Sequence, residues 1–318
     1  HLGILKHHLP VGPGKVKRHF TLKLWSLELD VNLKQFDRAW ADAHPTQSKA
    51  TEPDPSQKPL VLSNLGQKES CKFSQAPALP ANFVPRPEHQ TAIKTLLLSD
   101  EEDQLNTLVV VALSGLGGIG KSVLAMAVAN DPDIQSRFTD GILWATLGQN
   151  PDVLSILSGW IQALGDYKYK PLTLEAASAH LRTMLSTVEK GILLVVDDLW
   201  ESQHFEHFRV GNAKCRVLVT TREAVISGKT NRYEMDVMTS EQSLELLNRS
   251  LKESITDSDL EDVEVLTKEV GYLPLALELL AARRNEKLSW SRLRSEFEQE
   301  YNRRFRILKH TNAESQGD

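Results

Sequence analysis

Residues Gly115-Leu116-Gly117-Gly118-Ile119-Gly120-Lys121-Ser122 have the form G-x-x-x-x-G-K-[ST]. The apolar, β-branched run at 108–113 precedes them and is typical of a strand buried on both faces. Apolar residues at helical spacing follow them, until Asn130-Asp131-Pro132 ends the pattern. A strand, a glycine turn and a helix in this order predict a loop that cradles nucleotide phosphates on backbone N–H groups.

Within such a loop, each residue type has a physical task. Glycines let the backbone approach the phosphate oxygens closely, and the N-terminus of the following helix adds positive partial charge. Lys121 is expected to reach the β- and γ-phosphates of a nucleoside triphosphate. Ser122 is expected to place its hydroxyl on Mg²⁺.

A second apolar run, at 192–196, leads directly into Asp197 and Asp198. A central parallel strand that ends in acid is where phosphate-loop proteins hold magnesium. Because side chains alternate along a strand, the two carboxylates are expected to point in different directions. We assign Asp197 to Mg²⁺ and Asp198 to the attacking water. Alternatively, the two acids cap a helix that begins near Leu199.

A third strand-like stretch, Cys215-Arg216-Val217-Leu218-Val219, ends in Thr220-Thr221-Arg222. An arginine beside the phosphate loop can bind the γ-phosphate with two hydrogen bonds. Residues 233–237 read as a further short strand. Buried strands that alternate with helices predict an α/β fold, with an open, mostly parallel sheet between two layers of helices. The ligand is then expected at the carboxyl ends of the strands.

The pattern becomes helical after residue 238. Thr239 and Gln242 form a capping-box pattern, and Gly271-Tyr272-Leu273-Pro274 ends one helix and starts another. Near the N-terminus, alternating apolar residues in 20–33 predict two short strands, with a helix through Leu33, Phe36 and Trp40 as the competing interpretation toward the end.

These patterns divide the chain into five predicted parts. They are an N-terminal segment of unknown fold (1–43), a Pro/Ser/Gln-rich linker (44–82), a nucleotide-binding domain (83–237), a small all-α domain (238–305) and a polar tail (306–318). The linker prediction rests on eight of the fourteen prolines lying in or next to it, a composition that buries little apolar surface.

Composition excludes several classes of protein. The 37 basic and 42 acidic residues give a net charge of −5, which argues against a dedicated nucleic-acid-binding protein. The two cysteines, Cys71 and Cys215, are far apart and predict neither a disulfide framework nor a zinc site. No apolar run is long enough to span a membrane, so we expect a cytoplasmic protein. The chain begins with His1, and we expect it to be a fragment.

Six motifs together resemble the NB-ARC family of the STAND class of signalling ATPases, over about two thirds of the chain. They occur in the family's order: FVPRP (83–87), GLGGIGKS (115–122), FTDGILWATL (138–147), LLVVDDLW (193–200), VLVTTR (217–222) and GYLPLAL (271–277). The resemblance implies an ADP/ATP-binding switch, in which slow hydrolysis resets a change from a closed form to an open, self-associating form. It also implies sensor and effector domains outside this chain.

The resemblance assigns roles to individual residues. It implies catalytic roles for Lys121, Asp198 and Arg222, the last as the γ-phosphate sensor, and Mg²⁺ binding by Ser122 and Asp197. The residues implied to bind ATP or ADP are Arg86, Gly115, Gly117, Gly118, Ile119, Gly120, Lys121, Ser122, Val123 and Pro274. This chain departs from the family pattern at Pro85, where glycine is usual, so the backbone before Arg86 is stiffer.

Other functions are compatible with the same core. A motor of the AAA+ type would turn over briskly and need an arginine supplied in trans, for which Arg283-Arg284 is a possible source. A kinase would need an acceptor site with a lid, and no basic lid follows the third strand. A degenerate scaffold would bind nucleotide only structurally, but such a protein need not keep Lys121, Asp197 and Arg222.

Overall fold

In the computed structural model of the chain, residues 19–24, 27–32, 71–99, 109–222 and 230–300 are described. The strands are β1 (His19–Leu24), β2 (Leu27–Asn32), β3 (Val109–Ser114), β4 (Gly141–Gly148), β5 (Ile192–Leu199), β6 (Arg216–Thr221) and β7 (Asn231–Glu234). The α-helices are α1 (Pro87–Leu98), α2 (Lys121–Ala129), α3 (Pro132–Arg137), α4 (Val153–Ala163), α5 (Leu174–Ser186), α6 (Ser202–Phe205), α7 (Ser240–Ser250), α8 (Leu260–Glu269) and α9 (Pro274–Asn285). Residues 290–300 are also helical.

Strands β3 to β7 form one sheet in the order β4-β5-β6-β3-β7, and every neighbouring pair in it is parallel. The predicted α/β fold with an open parallel sheet, followed by a helical region, is therefore confirmed. The order places the carboxyl ends of β5, β6 and β3 side by side. In a parallel sheet this edge is where ligands bind, because the loops that follow the strands meet there.

The two faces of the sheet are covered by different helices. One face packs against α4 and α5, and its core includes Val110 and Val196 of the strands together with Leu157, Trp160 and Leu181 of the helices. Strand residues of opposite orientation, such as the fully buried Val111 and Leu113, face the layer that contains α1 and α2. Burial on both faces explains why these strands are continuous apolar runs.

Several predicted elements are present where the sequence indicated them. Strands β1 and β2 form an antiparallel hairpin in which Phe20 pairs with Val31. Thr239 caps α7 with a complete capping box, and Pro274 is the first residue of α9. The competing helical interpretation toward residue 40 lies outside the described residues.

The last part of the predicted linker runs along the edge of the sheet. Ser74 forms a parallel bridge with Ile142, and the backbone N–H of Gln75 donates to the Ile142 carbonyl at 2.9 Å. The Lys72 ammonium contacts the Asp140 carboxylate at 2.7 Å. This segment therefore covers strand β4, which is otherwise the outermost strand on its side.

The chain divides into two compact units. The larger unit contains residues 64–252 and 271–281, so it includes α7 and most of α9; the smaller contains 1–63, 253–270 and 282–318. The domain boundaries predicted from the sequence remain predictions, and those at 43 and 305 lie outside the described residues. None of the helices in the described ranges has the length and apolar content needed to cross a bilayer.

Candidate functional site

The glycine-rich loop connects β3 to α2, and its geometry requires glycine. Gly118 and Gly120 have φ angles of 79° and 97°, a conformation that side chains with a β-carbon rarely adopt. A β-carbon on Gly118 would lie 2.7 Å from the β-carbon of Leu275. A β-carbon on Gly117 would lie 3.1 Å from Nη1 of Arg222. The loop is thus shaped so that its backbone can be approached closely.

Lys121 is the first residue of α2, and its ammonium folds back on the loop. It donates to the carbonyls of Gly115 and Leu116, both at 2.9 Å. Burial, with a further contribution from the positive charge of Arg222, lowers the pKa of Lys121 from 10.5 to about 8. A lysine held by carbonyl dipoles in this way is poised to exchange them for phosphate oxygens.

The predicted metal residues Ser122 and Asp197 are brought together. The Ser122 hydroxyl and the Thr220 hydroxyl both bond the Asp197 carboxylate, the latter at 2.6 Å. Asp197 is 4% exposed, and this burial raises its pKa, while the two hydroxyl groups act in the opposite direction. A hydroxyl beside a buried carboxylate is a donor set that fits Mg²⁺.

The described residues contain no cluster of three or more His, Cys, Asp or Glu side chains that could hold a metal by themselves. This agrees with the way Mg²⁺ binds in phosphate-transfer sites, through one or two protein ligands together with phosphate oxygens and water. Ser122 and Asp197 would supply the protein ligands, and the bound metal would help to neutralise the phosphate charge.

Asp198 differs from Asp197 in backbone and exposure. Its φ of 53° is left-handed, and the pairing of β5 with β6 shifts register between Val196 and Leu199. Its N–H donates to the Thr220 hydroxyl at 2.9 Å, and its side chain is half-buried. The alternative that these acids cap a helix is wrong, because both belong to β5 and the N-cap residue of α6 is Glu201.

Arg222 follows β6 and lies at the phosphate loop, close to Gly117. Its guanidinium carbon is 4.5 Å from the centre of the Trp200 ring. Among the described residues, Arg222 forms no ion pair with a carboxylate. The predicted γ-phosphate sensor is therefore positioned beside the loop, and its role as a sensor remains a prediction.

A pocket that is partly open to solvent lies between the loop and α9. Five residues predicted to contact nucleotide line it: Arg86, Ile119, Gly120, Val123 and, from α9, Pro274. The first turn of α9 also contacts the loop directly, because the Leu275 N–H donates to the Gly118 carbonyl at 3.2 Å. The pocket and the phosphate loop are thus continuous.

Arg86 is buried, and protein groups hold it in place. Its guanidinium donates to the carbonyls of Ile119, Asp236 and Val237 at 2.6 to 3.2 Å, and it contacts His89 Nε2 at 2.6 Å. Burial lowers the pKa of Arg86. Its Nε is buried without a hydrogen-bond partner among the described residues. The contact of Arg86 with the base or ribose remains a prediction.

Several pocket residues have no signal in the sequence. They are Pro80, Asn82, Leu124, Met235, Met238, Leu246 and Glu278, whereas the lining residues Phe83 and Val84 belong to the FVPRP motif. Asn82 donates to the Glu278 carboxylate and to the Ser250 hydroxyl, both at 2.9 Å, so two lining residues that are far apart in the chain, Asn82 and Glu278, meet in the pocket wall. Thr220 and Trp200 were likewise given no role, although their positions at strand ends beside Asp197 and Arg222 could have indicated one.

These features define a P-loop nucleotide-binding protein. They are the parallel sheet, the glycine-rich loop that leads from β3 into α2, and the Thr220 hydroxyl bonded to the Asp197 carboxylate at the ends of β6 and β5. The NB-ARC domain model matches residues 87–255, more than half of the chain. The chain belongs to the NB-ARC family, as the sequence motifs predicted.

Individual relatives agree with this assignment. The regulatory protein AfsR of Streptomyces griseus is 27% identical over 226 residues, which cover 69% of this chain and 22% of AfsR. The apoptotic protease-activating factor 1 of Danio rerio is 31% identical over 185 residues, which cover 54% of this chain and 14% of that protein. The chain thus spans less than a quarter of the length of these relatives.

Among solved structures, a STAND protein with a tetratricopeptide repeat sensor from Pyrococcus horikoshii matches with a TM-score of 0.40 and 16% identity. The match covers 68% of this chain and 31% of that structure.

Proposed function

We propose that this chain binds ADP and ATP as the nucleotide-operated part of a signalling switch. The observation that carries the proposal is the contact of α9 with the phosphate loop. Leu275 bonds the Gly118 carbonyl, and Pro274 lines the pocket next to Gly120. A change in what occupies the loop would therefore act directly on the first turn of this helix.

In this proposal the phosphates lie on the loop and the base lies in the adjoining pocket. Val123, Ile119 and Pro274 provide apolar surface for the base, and Arg86 lies at the pocket wall. The Glu278 carboxylate can only accept hydrogen bonds when ionised, which favours a base with an amino group at that end. Adenine has such a group, whereas guanine has a carbonyl at the same ring position.

The γ-phosphate would distinguish the two nucleotides. Lys121 and Arg222 would contact it, Ser122 and Asp197 would hold Mg²⁺, and Asp198 would polarise the attacking water. Because these contacts exist only with ATP, they supply the differential binding that shifts a conformational equilibrium. ADP would hold a closed form, ATP would favour an open and self-associating form, and slow hydrolysis would reset the switch.

The structure offers less support for a motor. Arg283 and Arg284, the possible source of an arginine supplied in trans, pair with Glu296 at 3.3 Å and with Glu253 at 3.4 Å. Sensor and effector domains outside this chain, and the partners of the whole protein, belong to the proposal as well.

Binding of ATP and ADP to the purified chain tests the proposal. Lys121→Ala should lose most of its ATP affinity, because it removes the ammonium that lies on the phosphate loop, 2.9 Å from the Gly115 and Leu116 carbonyls. Lys168→Ala is the matched control: it removes an exposed lysine, and the variant should bind ATP like the parent. ADP that stays bound through purification, slow ATP turnover, and a larger assembly with ATP would support the switch. Equal ATP affinity in Lys121→Ala and the parent would refute it.

A further inference from the structure

The side chains of Trp200 and Arg222 lie together because of how two strands end. Leu199 of β5 and Thr221 of β6 are register partners, and the Thr221 hydroxyl donates to the Leu199 carbonyl at 2.9 Å. Trp200 directly follows Leu199 in the sequence, and Arg222 directly follows Thr221. Their proximity is therefore fixed by the sheet, and it does not depend on a flexible loop.

The contact uses the face of the indole ring. The guanidinium carbon lies 4.5 Å from the ring centre, within the range of a favourable cation–π interaction. The indole Nε1 is buried and has no hydrogen-bond partner in the described part of the chain. Trp200 therefore contacts Arg222 through the face of its ring.

A ring holds an arginine in a different way from a carboxylate. A carboxylate would occupy the N–H groups of the guanidinium and neutralise its charge. A ring contacts the face of the guanidinium and leaves the N–H groups at its edge available for a phosphate. Arg222 lies over the Trp200 ring and beside Gly117, near the buried ammonium of Lys121.

We propose that Trp200 is a positioning residue, which holds Arg222 over the phosphate loop so that its N–H edge meets the γ-phosphate of ATP. This inference rests on the proposed nucleotide function. It assigns to Trp200 the selectivity for ATP over ADP, because ADP lacks the group that Arg222 would contact. Trp200 itself need not touch the nucleotide.

The test compares ATP and ADP affinities of the full chain and its variants by calorimetry. Trp200→Leu removes the ring and should lower the preference for ATP over ADP roughly 2- to 5-fold, as expected for an exposed cation–π contact. Trp200→Phe keeps a ring and should retain part of the preference. Trp144→Phe is the control, because the Trp144 indole bonds Thr146 on β4 and has no contact with Arg222.

A double-mutant cycle separates positioning from a general structural effect. In an Arg222→Ala background, Trp200→Leu should cause no further loss of ATP preference. A loss as large as in the parent background, or no loss in the single variant, would overturn the inference. If the parent chain binds neither nucleotide, the proposed function fails first and the inference fails with it.

If Trp200→Leu does not fold, a measurement that leaves Trp200 in place tests whether Trp200 positions Arg222. ATP binding should draw the guanidinium edge to the phosphate and alter the environment of the ring, so tryptophan emission should change with ATP more than with ADP. Arg222→Ala should remove this difference. An identical emission response in the parent and in Arg222→Ala would overturn the inference.

Discussion

Lys121 provides a sharp test of the nucleotide site, because its protonation should change when phosphate binds. Burial and the charge of Arg222 lower its pKa to about 8 in the free protein, although Asp198 and Asp197 act in the opposite direction. At pH 8 about half of the molecules therefore carry a neutral lysine. A phosphate group beside the ammonium would raise the pKa toward its ordinary value of 10.5.

The magnitude follows from this shift. Binding at pH 8 should take up about half a proton per nucleotide, rising to about 0.9 at pH 9 and falling to about 0.1 at pH 7. The affinity should fall roughly tenfold between pH 7 and pH 9, since only the protonated lysine attracts phosphate. The free energy of unfolding should rise with pH between about 8 and 10.5, because there the unfolded chain binds more protons at this lysine.

Calorimetry in two buffers with different ionisation enthalpies measures the proton uptake directly. Lys121→Arg is the matched variant, because arginine keeps its charge over the whole range and cannot take up the proton. The variant should bind without proton uptake at pH 8 and with little change in affinity up to pH 9. Zero uptake by the parent at pH 8, or the same uptake by Lys121→Arg, would refute this account of the site.

Two substitutions probe the loop and the strand end by urea unfolding without nucleotide. Gly118→Ala should lower the free energy of unfolding by about 2–5 kcal/mol, from the left-handed backbone and from overlap with α9. In Gly120→Ala the new β-carbon would meet nothing closer than 3.7 Å, so this variant should lose only about 1–2 kcal/mol. Equal losses in the two glycine variants would contradict the overlap of the Gly118→Ala side chain with Leu275 of α9. Thr220→Val should cost about 1–3 kcal/mol, because the Asp197 carboxylate loses the hydrogen bond from the Thr220 hydroxyl and the Asp198 N–H loses that hydroxyl as its acceptor. Because the Thr220 hydroxyl favours the ionised form of Asp197, the loss should grow as the pH rises through the folded-state pKa of Asp197, which burial raises; a loss that is independent of pH would contradict this role.

The sequence predicts the phosphate end of the site well for a physical reason. Lys121, Asp197 and Arg222 each follow an apolar run, and parallel strands bring their carboxyl ends to one edge of a sheet. The local sequence pattern and the fold therefore both predict a site at the carboxyl edge of the sheet. The order of the strands is not contained in these patterns, although it determines that Thr220 of β6 reaches Asp197 of β5.

The pocket beside the loop shows where sequence reasoning ends. Asn82 and Glu278 are separated by 196 residues and meet through one hydrogen bond, so no local pattern marks them. The segment at 71–76 was predicted as linker because of its composition. It pairs with β4 through backbone N–H and carbonyl groups, which every residue except proline provides, so composition gives little indication of such pairing.

Asp198 illustrates a rule that is reliable only in regular strands. Alternation predicts that adjacent side chains point to opposite faces, and Asp197 and Asp198 do differ in burial. The left-handed backbone at Asp198 and the shift of register after Val196 nevertheless remove it from the regular pattern. Such conformations are costly for a residue with a side chain and often occur at functional sites.

The charges around the loop suggest why an anion would bind there even though the chain is negative overall. Lys121 is held by backbone carbonyls and Arg222 by an aromatic ring, and within the described residues neither forms an ion pair. The lowered pKa of Lys121 corresponds to about 3 kcal/mol of unfavourable free energy for its charged form. A phosphate would relieve part of this cost without first displacing a carboxylate from either cation. Selectivity for ATP would then depend on the one cation whose position is set by a neighbouring side chain, Arg222.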